Sequence, residues 1–503
     1  MLGLWRSHSE YQEFMVSNLA QLYIKDRLSV EFYSEHFSKL YFINLNEFKP
    51  LIASRYSSTG KPSNQQPELF RSFILMSLLN FHSIPLWIKY LRAHEILCFA
   101  IGLLPSDIPG VGTHYDFISR FWLANPQTLK SFKDSPHPFV SKPRKKLGKN
   151  QKQPPRHPGI IKKFVDLALQ GKSFENRPEK LFQQIFAKVA VEPSVNLNLL
   201  GDTRNLTISG DGTCINTGGN SLGIKTCDCI SKGVYNCKCH RRFSDPDACR
   251  GWDSYHESWF YGHCGYFLTV YNPDLKKDLP LYLRLVQAQR YDGVTAIVAL
   301  SEVRKLYPNF TFSEFIGDGA HDNYPTYHLL DEWRMKAIIS LNPKGTGENK
   351  YTPPVGFTEN GAPICSCGIS MIRDYYDKIR HRIKYRCPLA LGKISSCNYI
   401  AQCSPSSYGR VVYVKPKDDL RLFTIIPRNS DEWKHEMKKR TSSERVNKRI
   451  LEDYGLEKAK ARGKKHWSWW TLIHSINLHL DAQQAVRGFD FIKLLEIKLG
   501  AAA

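Results

Sequence analysis

The spacing of apolar and polar positions divides the chain into a helical part and a strand-rich part. Residues 30 to 130 carry apolar and aromatic side chains at helical spacing, as in ELFRSFILMSLLNF and IPLWIKYLRAHEILCFAIGLL. Thr113 is a candidate N-cap for a further short helix in PGVGTHYDFISRFW. We therefore expect several short helices, which form either a helix-turn-helix or a bundle packed on the rest of the protein.

From about residue 203 the spacing becomes strand-like. The segments LTISG, WFYGHCGYFLTVY, LPLYLRLVQA, FSEFIG and MKAIISL predict five strands, the first ending at Asp211 and the fourth at Asp318. The segments VTAIVALSEVRKLYP and NYPTYHLLDEW fit helices and separate the third, fourth and fifth strands. This β-β-β-α-β-α-β order predicts an α/β protein with a ribonuclease H-like mixed sheet.

The segment after the fifth strand is too long to be a simple loop of a compact domain. Residues 345–430 are rich in Pro, Gly and Cys and predict an inserted Cys-rich subdomain. DEWKHEMKKRTSSERVNKRILEDYG then predicts a single helix that carries Glu444 and turns Val446 and Ile450 toward the core. WSWWTLIHSINLHLDAQQAV predicts a last helix that packs against the core.

Together these elements predict a division of the chain into regions with different roles. In order, they are a helical N-terminal domain that binds DNA (1–133), a basic linker with a helical segment (134–200), the first part of a catalytic domain (201–344), the Cys-rich insertion (345–430), the completion of the catalytic domain (431–490) and a tail (491–503). A Cys-rich loop, residues 214–249, interrupts the first part of the catalytic domain.

The net charge of the chain indicates what kind of partner it binds. The chain has 70 Lys and Arg residues against 47 Asp and Glu residues, a formal net charge of +23, which predicts a polyanionic partner and above all nucleic acid. The stretch between Asp134 and Asp166 has no acidic residue but many basic ones, among them Lys145 and Lys146. This linker is either a solvated spacer or a direct contact with DNA phosphates.

Neither a membrane span nor a secretion signal is expected. No apolar run reaches the roughly 18 residues that a membrane-spanning helix needs, and the N-terminus has no signal-peptide pattern. We therefore expect a cytoplasmic protein associated with the bacterial nucleoid, without membrane contact. In that reducing compartment the 13 cysteines indicate metal binding more than disulfides.

Two strand ends share one local pattern, an apolar strand followed by Gly-Asp-Gly. ISGDGT places Asp211 in this pattern and FIGDGA places Asp318 in it. A single aspartate between glycines is more often a turn former than a metal ligand. In the predicted sheet, however, the first and fourth strands are neighbours, so the two carboxylates should lie side by side. Such a pair suits divalent cations and phosphoryl transfer.

Glu444 is the candidate third acid. Arg440 and Lys448 lie four residues before and after it, on one helical face. On this helix alone the pattern equally describes a solvated i,i+4 salt-bridge ladder. The competing acids nearby are Glu436, Glu452 and Asp453.

The segments SGDGT, IGDGAHDNYPTYHLL and KRTSSERVNKRILEDYG resemble the DDE transposases of bacterial insertion sequences. The resemblance extends over about residues 60 to 485. It implies that Asp211, Asp318 and Glu444 hold two Mg²⁺ or Mn²⁺ ions. It also places Arg440 and Lys448 near DNA phosphates.

One subgroup of these transposases carries Tyr, Arg, Glu and Lys on this helix. Here Met437 stands at the Tyr position and Leu451 at the Lys position, so neither the subgroup nor a DNA-hairpin step follows. The resemblance implies cleavage at transposon ends and strand transfer into target DNA, by a homodimer on double-stranded DNA that carries terminal inverted repeats. The alternatives are a structure-specific nuclease of the same fold and an inactive zinc-dependent DNA-binding protein.

Basic and aromatic residues near the C-terminus add candidate DNA contacts. Lys464 and Lys465 belong to a basic run that would hold phosphates. The tryptophans that follow could stack on a displaced base, although packing in the core is the commoner role; they are Trp467, Trp469 and Trp470.

Most of the cysteines fall in two clusters that predict structural zinc. The first cluster comprises Cys227, Cys229, Cys237 and Cys239, and four thiolates so close in sequence suggest a tetrahedral site. The second comprises Cys365, Cys367, Cys387, Cys397 and Cys403 within the insertion. A metal there would explain how a segment with few apolar residues folds, the alternative being scattered buried thiols.

Overall fold

The structure is a computed structural model, and it describes residues 1–123, 159–172, 177–254, 256–342, 352–398 and 403–500. Within these ranges the protein is mixed α/β, with helices at the N-terminus, a mixed sheet in the middle and helices at the C-terminus. No helix of the described ranges combines the length and the apolar character that a membrane crossing requires.

The helices before the sheet are short, apart from the first two. They are α1 (His8–Lys25), α2 (Arg27–Tyr41), α3 (Phe48–Ile52), α4 (Gln66–Leu78), α5 (Ile84–Ala93), α6 (Glu95–Ile101), α7 (Val111–Phe121), α8 (Ile160–Leu169), α9 (Lys180–Phe186) and α10 (Glu192–Asn196). Helix α1 begins at a capping box, in which Ser7 Oγ accepts from Glu10 N and the Glu10 carboxylate accepts from Ser7 N.

The main sheet has six strands and is mixed, as the sequence predicts. Its strands are β1 (Leu206–Asn216), β4 (Cys249–Asp253), β5 (Ser258–Asn272), β6 (Lys277–Gln287), β7 (Phe312–Gly317) and β8 (Lys336–Ile339), and β2 (Ile224–Lys225) pairs with β3 (Arg241–Arg242) in a separate small sheet. Strand β5 is antiparallel to β1, β4 and β6, whereas β7 is parallel to β1 and to β8. The five predicted strands are confirmed, and β4 is an addition.

The predicted helices between the strands are also confirmed. They are α11 (Asp292–Leu306), between β6 and β7, and α12 (Tyr324–Glu332), between β7 and β8. After the sheet come α13 (Asp431–Lys438), α14 (Thr441–Lys448), α15 (Gly463–Arg487) and α16 (Phe491–Gly500). Helix α15 is the predicted last core helix, and Leu472, Ile476 and Leu480 are buried as expected.

The single helix predicted around Glu444 is wrong, because the chain forms two helices there. Helix α13 ends at Lys438 and α14 starts at Thr441, with a tight turn between them. The two helices bury different faces, since Met437 packs with Ile316 and Ile338 whereas Val446 belongs to the main core.

One hydrophobic cluster joins the N-terminal helices, the sheet and the C-terminal helices. Phe73 of α4 lies edge to face with Trp469 of α15, with 5.1 Å between ring centroids. Trp467, Trp469 and Trp470 are all buried, which confirms core packing for these side chains. Helix α15 is buried on most of its circumference because it lies between the N-terminal helices and β6.

The insertion forms a small sheet of its own. Strands β9 (Ile372–Asp377), β10 (Arg382–Arg386) and β11 (Val411–Val414) pair antiparallel. A separate hydrophobic cluster that includes Met371, Ile383 and Tyr385 supports this sheet. The expectation that this segment lacks apolar residues for a core is therefore wrong.

Candidate active site

Asp211 lies in the middle of β1, not at its end as the sequence predicted. Strand β1 continues to Asn216 because β5 stays paired with it throughout, with Asp211 opposite Phe267. On its other side β1 pairs in parallel with β7, and Ser209 faces Ile316 in this register. Two residues further along each strand come Asp211 and Asp318, so the predicted neighbourhood of the two GDG segments is confirmed.

Asp318 directly follows β7 and caps a short helical turn. Its Oδ1 accepts hydrogen bonds from Ala320 N at 3.0 Å and from His321 Nδ1 at 2.7 Å. Burial alone would raise the pKa of Asp318, but His321 and the Ala320 amide hold it below its ordinary value. This carboxylate is thus fixed in place and kept ionised.

His321 also connects Asp318 to the sheet. The ring is buried, and its Nε2 lies 2.8 Å from the Tyr266 hydroxyl, which is buried as well. The hydroxyl sits where the Cβ of any residue other than glycine at position 210 would be. The glycine before Asp211 therefore makes room for a hydrogen-bonded chain that ends on Asp318.

Burial and mutual repulsion set the protonation of Asp211. Burial first, and then the charge of Asp318, raise the pKa of Asp211 to about 7, although Arg440 opposes this rise. Asp292, the first residue of α11, also has a raised pKa, through burial and through the charge of Asp318. Three carboxylates thus share one weakly solvated region of the sheet edge.

Asp292 approaches this region from the opposite face of the sheet. A Cβ at Gly212 would lie 2.7 Å from each Asp292 carboxylate oxygen, so the glycine after Asp211 also makes room for a side chain. Side chains alternate along a strand, and Asp211 therefore points away from Asp292, toward the face that carries Ser209. The sequence did not single out Asp292 or His321, since an aspartate at a helix start resembles an ordinary cap.

Helix α14 packs on the face of the sheet toward which Asp211 points. Its Ser443 is buried and hydrogen-bonded to Ser209 of β1, and Ser443 Oγ lies 3.0 Å from Thr269 Oγ1 of β5. These hydroxyls fix the height of the helix over the sheet. Glu444 is the next residue, so the helix carries it beside the Asp211 face.

Glu444 itself does not reach the aspartates. Its side chain is about half exposed (48%) and forms an ion pair with Arg440. The charge of Arg440 acts on both Asp211 and Asp318 and lowers their pKa values. Across the described residues, no three acidic ligand atoms lie within 4.8 Å of one another. The structure therefore brings Asp211 and Asp318 together, with Arg440 between them and Glu444.

The predicted DNA-contacting residues lie in different settings. Lys448 stands 3.8 Å from Glu452, so α14 does form the i,i+4 ladder that was the alternative interpretation. Lys464 Nζ lies 3.0 Å from the buried Glu179, whose charge it balances. Lys465 donates to Ser119 Oγ at 2.7 Å. The other two candidates, Lys145 and Lys146, lie outside the described residues.

The first cysteine cluster converges on one point. The four Sγ atoms of Cys227, Cys229, Cys237 and Cys239 all lie within 4.8 Å of one another. Sγ–Sγ distances are 3.5 Å for Cys227–Cys237 and 3.6 Å for Cys229–Cys239, so each pair joins the two limbs of the Cys-rich loop. This group could hold a metal ion.

The second cysteine cluster does not converge in the same way. Only the first cluster brings three or more cysteine, histidine or acidic ligand atoms within 4.8 Å in the described ranges. In the insertion, Cys365 Sγ and Cys367 Sγ lie 2.8 Å apart, and Cys365 is part of the small hydrophobic core. The prediction of a second zinc site, on Cys365, Cys367, Cys387, Cys397 and Cys403, thus finds no support in this geometry.

Comparisons with known proteins leave the site to be interpreted from its own chemistry. No family model matches the sequence, and no curated protein matches it either.

Proposed function

We propose that this protein is a DDE-type transposase that cuts DNA at transposon ends and joins the freed ends to target DNA. The observation that carries the proposal is the pair of carboxylates, Asp211 on β1 and Asp318 directly after the parallel strand β7. Burial, and then the charge of Asp318, raise the pKa of Asp211 to about 7, and a divalent cation would offset both effects. Carboxylates whose pKa values are shifted in this way, and that lie close together, occur more often at functional sites than in purely structural positions.

The strand arrangement supports a ribonuclease H-like fold for the catalytic domain. Along the main sheet the order is β6, β5, β1, β7, β8, with the antiparallel strands first and the parallel ones last. Helices α11 and α12 connect the parallel strands. The acids of such a fold lie where β1 and β7 run side by side, which is the edge described above.

Asp211 and Asp318 fit a site for Mg²⁺ or Mn²⁺, since both offer hard oxygen ligands. Glu444 would complete the site once its carboxylate leaves Arg440. Bound there, two such ions would activate the attacking oxygen and neutralise the leaving one.

The protein's own residues prepare this chemistry. His321 orients Asp318 and keeps it ionised, while Arg440 offers a guanidinium beside both aspartates. A guanidinium in that place can pair with a DNA phosphate, which would release Glu444 toward Asp211. The phosphate would thus replace the Glu444 carboxylate as the ion-pair partner of Arg440.

The proposal includes the setting in which this chemistry takes place. The partners are double-stranded DNA, as terminal inverted repeats and target, and a second copy of the chain. The N-terminal helices and the basic linker, with Lys145 and Lys146, would bind DNA. The work would be done in the cytoplasm of a bacterium, at the nucleoid.

We also propose that the Cys-rich loop binds one structural Zn²⁺ through Cys227, Cys229, Cys237 and Cys239. Zn–S bonds of about 2.3 Å give tetrahedral S–S edges of about 3.8 Å, close to the observed spacings. Zinc content after purification without chelator tests this: about one equivalent per chain is expected, and about half as much or less for a Cys229→Ser/Cys239→Ser variant. Less than half an equivalent in the wild type would contradict the site.

The experiment that tests the function is a cleavage and joining assay. The substrate is DNA that carries the two ends flanking the gene, with a supercoiled target, in Mg²⁺ and in EDTA. We expect metal-dependent nicks at the ends and joined products on gels. Cleavage without joining would favour a structure-specific nuclease, and neither activity would favour an inactive DNA-binding protein.

A further inference from the structure

The Cys-rich loop is firmly anchored on the catalytic sheet. Asp245, near its end, is fully buried and accepts hydrogen bonds from Thr217 Oγ1, His263 Nε2 and Trp467 Nε1, each at 3.1 Å. Burial alone would raise the pKa of Asp245, but these donors hold it below its ordinary value. One carboxylate thus ties the start of the loop, β5 and α15 together.

Beyond this anchor the loop has very little core. Between Gly218 and Arg242 every side chain is exposed or half-exposed. The four cysteines and the short β2–β3 pairing are what order this stretch. A metal clamp would hold the exposed side chains in fixed positions, which lowers the entropy cost of binding a partner.

The surface that the loop presents is basic, with apolar side chains between the cations. Its acidic residues are Asp228, Asp245 and Asp247, of which Asp245 is buried and Asp228 is paired with Lys232. Its basic residues, with Arg250 of β4, are Lys225, Lys232, Lys238, Arg241, Arg242 and Arg250. Lys238 stands between two of the clamp cysteines, and Arg242 belongs to β3; both are exposed. Tyr235 and Ile224 are exposed close by. Cations interleaved with an aromatic ring are typical of nucleic-acid surfaces.

The loop also lies at the correct end of the sheet. It leaves β1 at Thr217, six residues beyond Asp211. At about 3.3 Å per strand residue this is about 20 Å, or about six phosphates along one DNA strand. A duplex that is cut at Asp211 and runs in the direction of β1 would therefore pass the start of the loop within its first turn.

We propose that the Cys-rich loop is a second DNA-contacting surface, which binds backbone phosphates of the duplex beside the cleavage site through Lys238 and Arg242. The inference rests on the proposed action on DNA. The basic charge of the loop indicates a polyanionic partner. The distance from Asp211 indicates that this partner is the duplex being cut. By binding these phosphates, the loop would hold the DNA at a fixed distance from the carboxylates of Asp211 and Asp318.

The test compares two charge-matched double variants, each of which removes two positive charges. Lys238→Gln/Arg242→Gln alters the loop, and Lys276→Gln/Lys493→Gln alters exposed residues of the turn between β5 and β6 and of α16. Binding to a labelled duplex of about 30 base pairs is followed by fluorescence anisotropy over a salt series, in Ca²⁺ buffer without chelator. For the loop variant we expect about tenfold weaker binding and a salt slope smaller by about two. The control with Lys276 and Lys493 replaced should stay within about twofold of the wild type.

Equal affinity and equal salt slope for both variants would overturn the proposal, provided that unfolding temperature and zinc content are unchanged. A loop variant that keeps its DNA affinity but dissociates into monomers in sedimentation would overturn it too, because the surface would then bind another protein chain. Binding needs no catalysis. If the wild type binds DNA through the loop but does not cut it, the proposed transposase function is wrong and the loop proposal stands. If the wild type cuts DNA normally and the loop variant binds DNA as tightly as the wild type, only the loop proposal is wrong.

Discussion

The two strand-borne acids and the helix-borne acid are held by different kinds of interaction. Asp211 and Asp318 follow from the hydrogen-bonded register of β1 and β7, which allows little movement of either Cα atom. Glu444 stands on α14, which only packs against these strands, and its carboxylate is engaged by Arg440 at the surface. The first arrangement is rigid, and the second can change through side-chain rotation alone.

The two aspartates therefore keep fixed positions, whereas the position of the Glu444 carboxylate can change. Burial and the charge of Asp318 raise the pKa of Asp211, whereas His321 and Arg440 partly balance the charge of Asp318. Glu444 is neutralised by an ion pair that costs little to break, since exposed pairs contribute only about 0 to 1 kcal/mol. A ligand that competes for Arg440 would therefore free the Glu444 carboxylate, which the proposed function places beside Asp211.

The largest effect is expected from the strand-borne pair. Asp211→Asn and Asp318→Asn each remove a carboxylate ligand of the proposed metal ions, and each should lower the rate of DNA cleavage about 10³-fold or more. Quantitative gel assays at saturating Mg²⁺ measure this rate. Full activity in either variant would remove that residue from the site.

The helix-borne acid should show a smaller but separate effect. Glu444→Gln should lower cleavage about 10²-fold while changing the unfolding free energy by less than about 1 kcal/mol. Glu452→Gln is the matched control, because Glu452 is paired with Lys448 on the same helical segment. Similar activities for the two variants would mean that Glu444 belongs to a salt-bridge ladder and has no catalytic role.

The sequence was sufficient for those parts of the fold that depend on local pattern. Strand order and the repeated GDG motif are enough to place Asp211 beside Asp318. The four cysteines of the Cys-rich loop lie within 13 residues, so their convergence is also a short-range property. By contrast, Cys365 and Cys403 are separated by β9 and β10 of the insertion, and their distance depends on how the small sheet folds.

Long-range packing decided what the sequence could not. Lys464 looked like an exposed cation, but Glu179, 285 residues earlier in the chain, is buried against it. The break between α13 and α14 depends on two separate packing surfaces that no helical pattern shows. The pairing of Glu444 with Arg440 depends on a side-chain rotamer, and sequence spacing describes only that the two can meet.

The rigidity of the strand pair can be tested through His321. His321→Gln or Tyr266→Phe breaks the hydrogen-bonded chain that orients Asp318, and partners of metal ligands commonly contribute 10- to 100-fold. We expect a rise of about tenfold in the Mg²⁺ concentration for half-maximal cleavage, with the larger effect for His321→Gln, because His321 contacts Asp318 directly. A merely structural role would lower stability but leave the Mg²⁺ dependence unchanged. Titration of cleavage with Mg²⁺, beside urea unfolding, separates the two results.

The smallest effect concerns pH and probes the repulsion itself. The pKa of Asp211 is about 7 in the folded protein, well above the ordinary value of 3.8 that applies to the unfolded chain. Between these values the folded state binds more protons, so metal-free stability falls as pH rises from about 4 to about 7, by at most about 1.4 kcal/mol per pH unit. In Asp211→Asn this contribution is absent. Urea unfolding in EDTA at pH 5 and pH 7 should therefore show a smaller loss for the variant than for the wild type, and Mg²⁺ should stabilise only the wild type at the higher pH. Because Glu444 is exposed and paired with Arg440, the stability of Glu444→Gln should depend on pH as that of the wild type does. If its stability instead depended on pH as that of Asp211→Asn does, Glu444 would repel the two aspartates, and the proposed difference between the acids would be wrong.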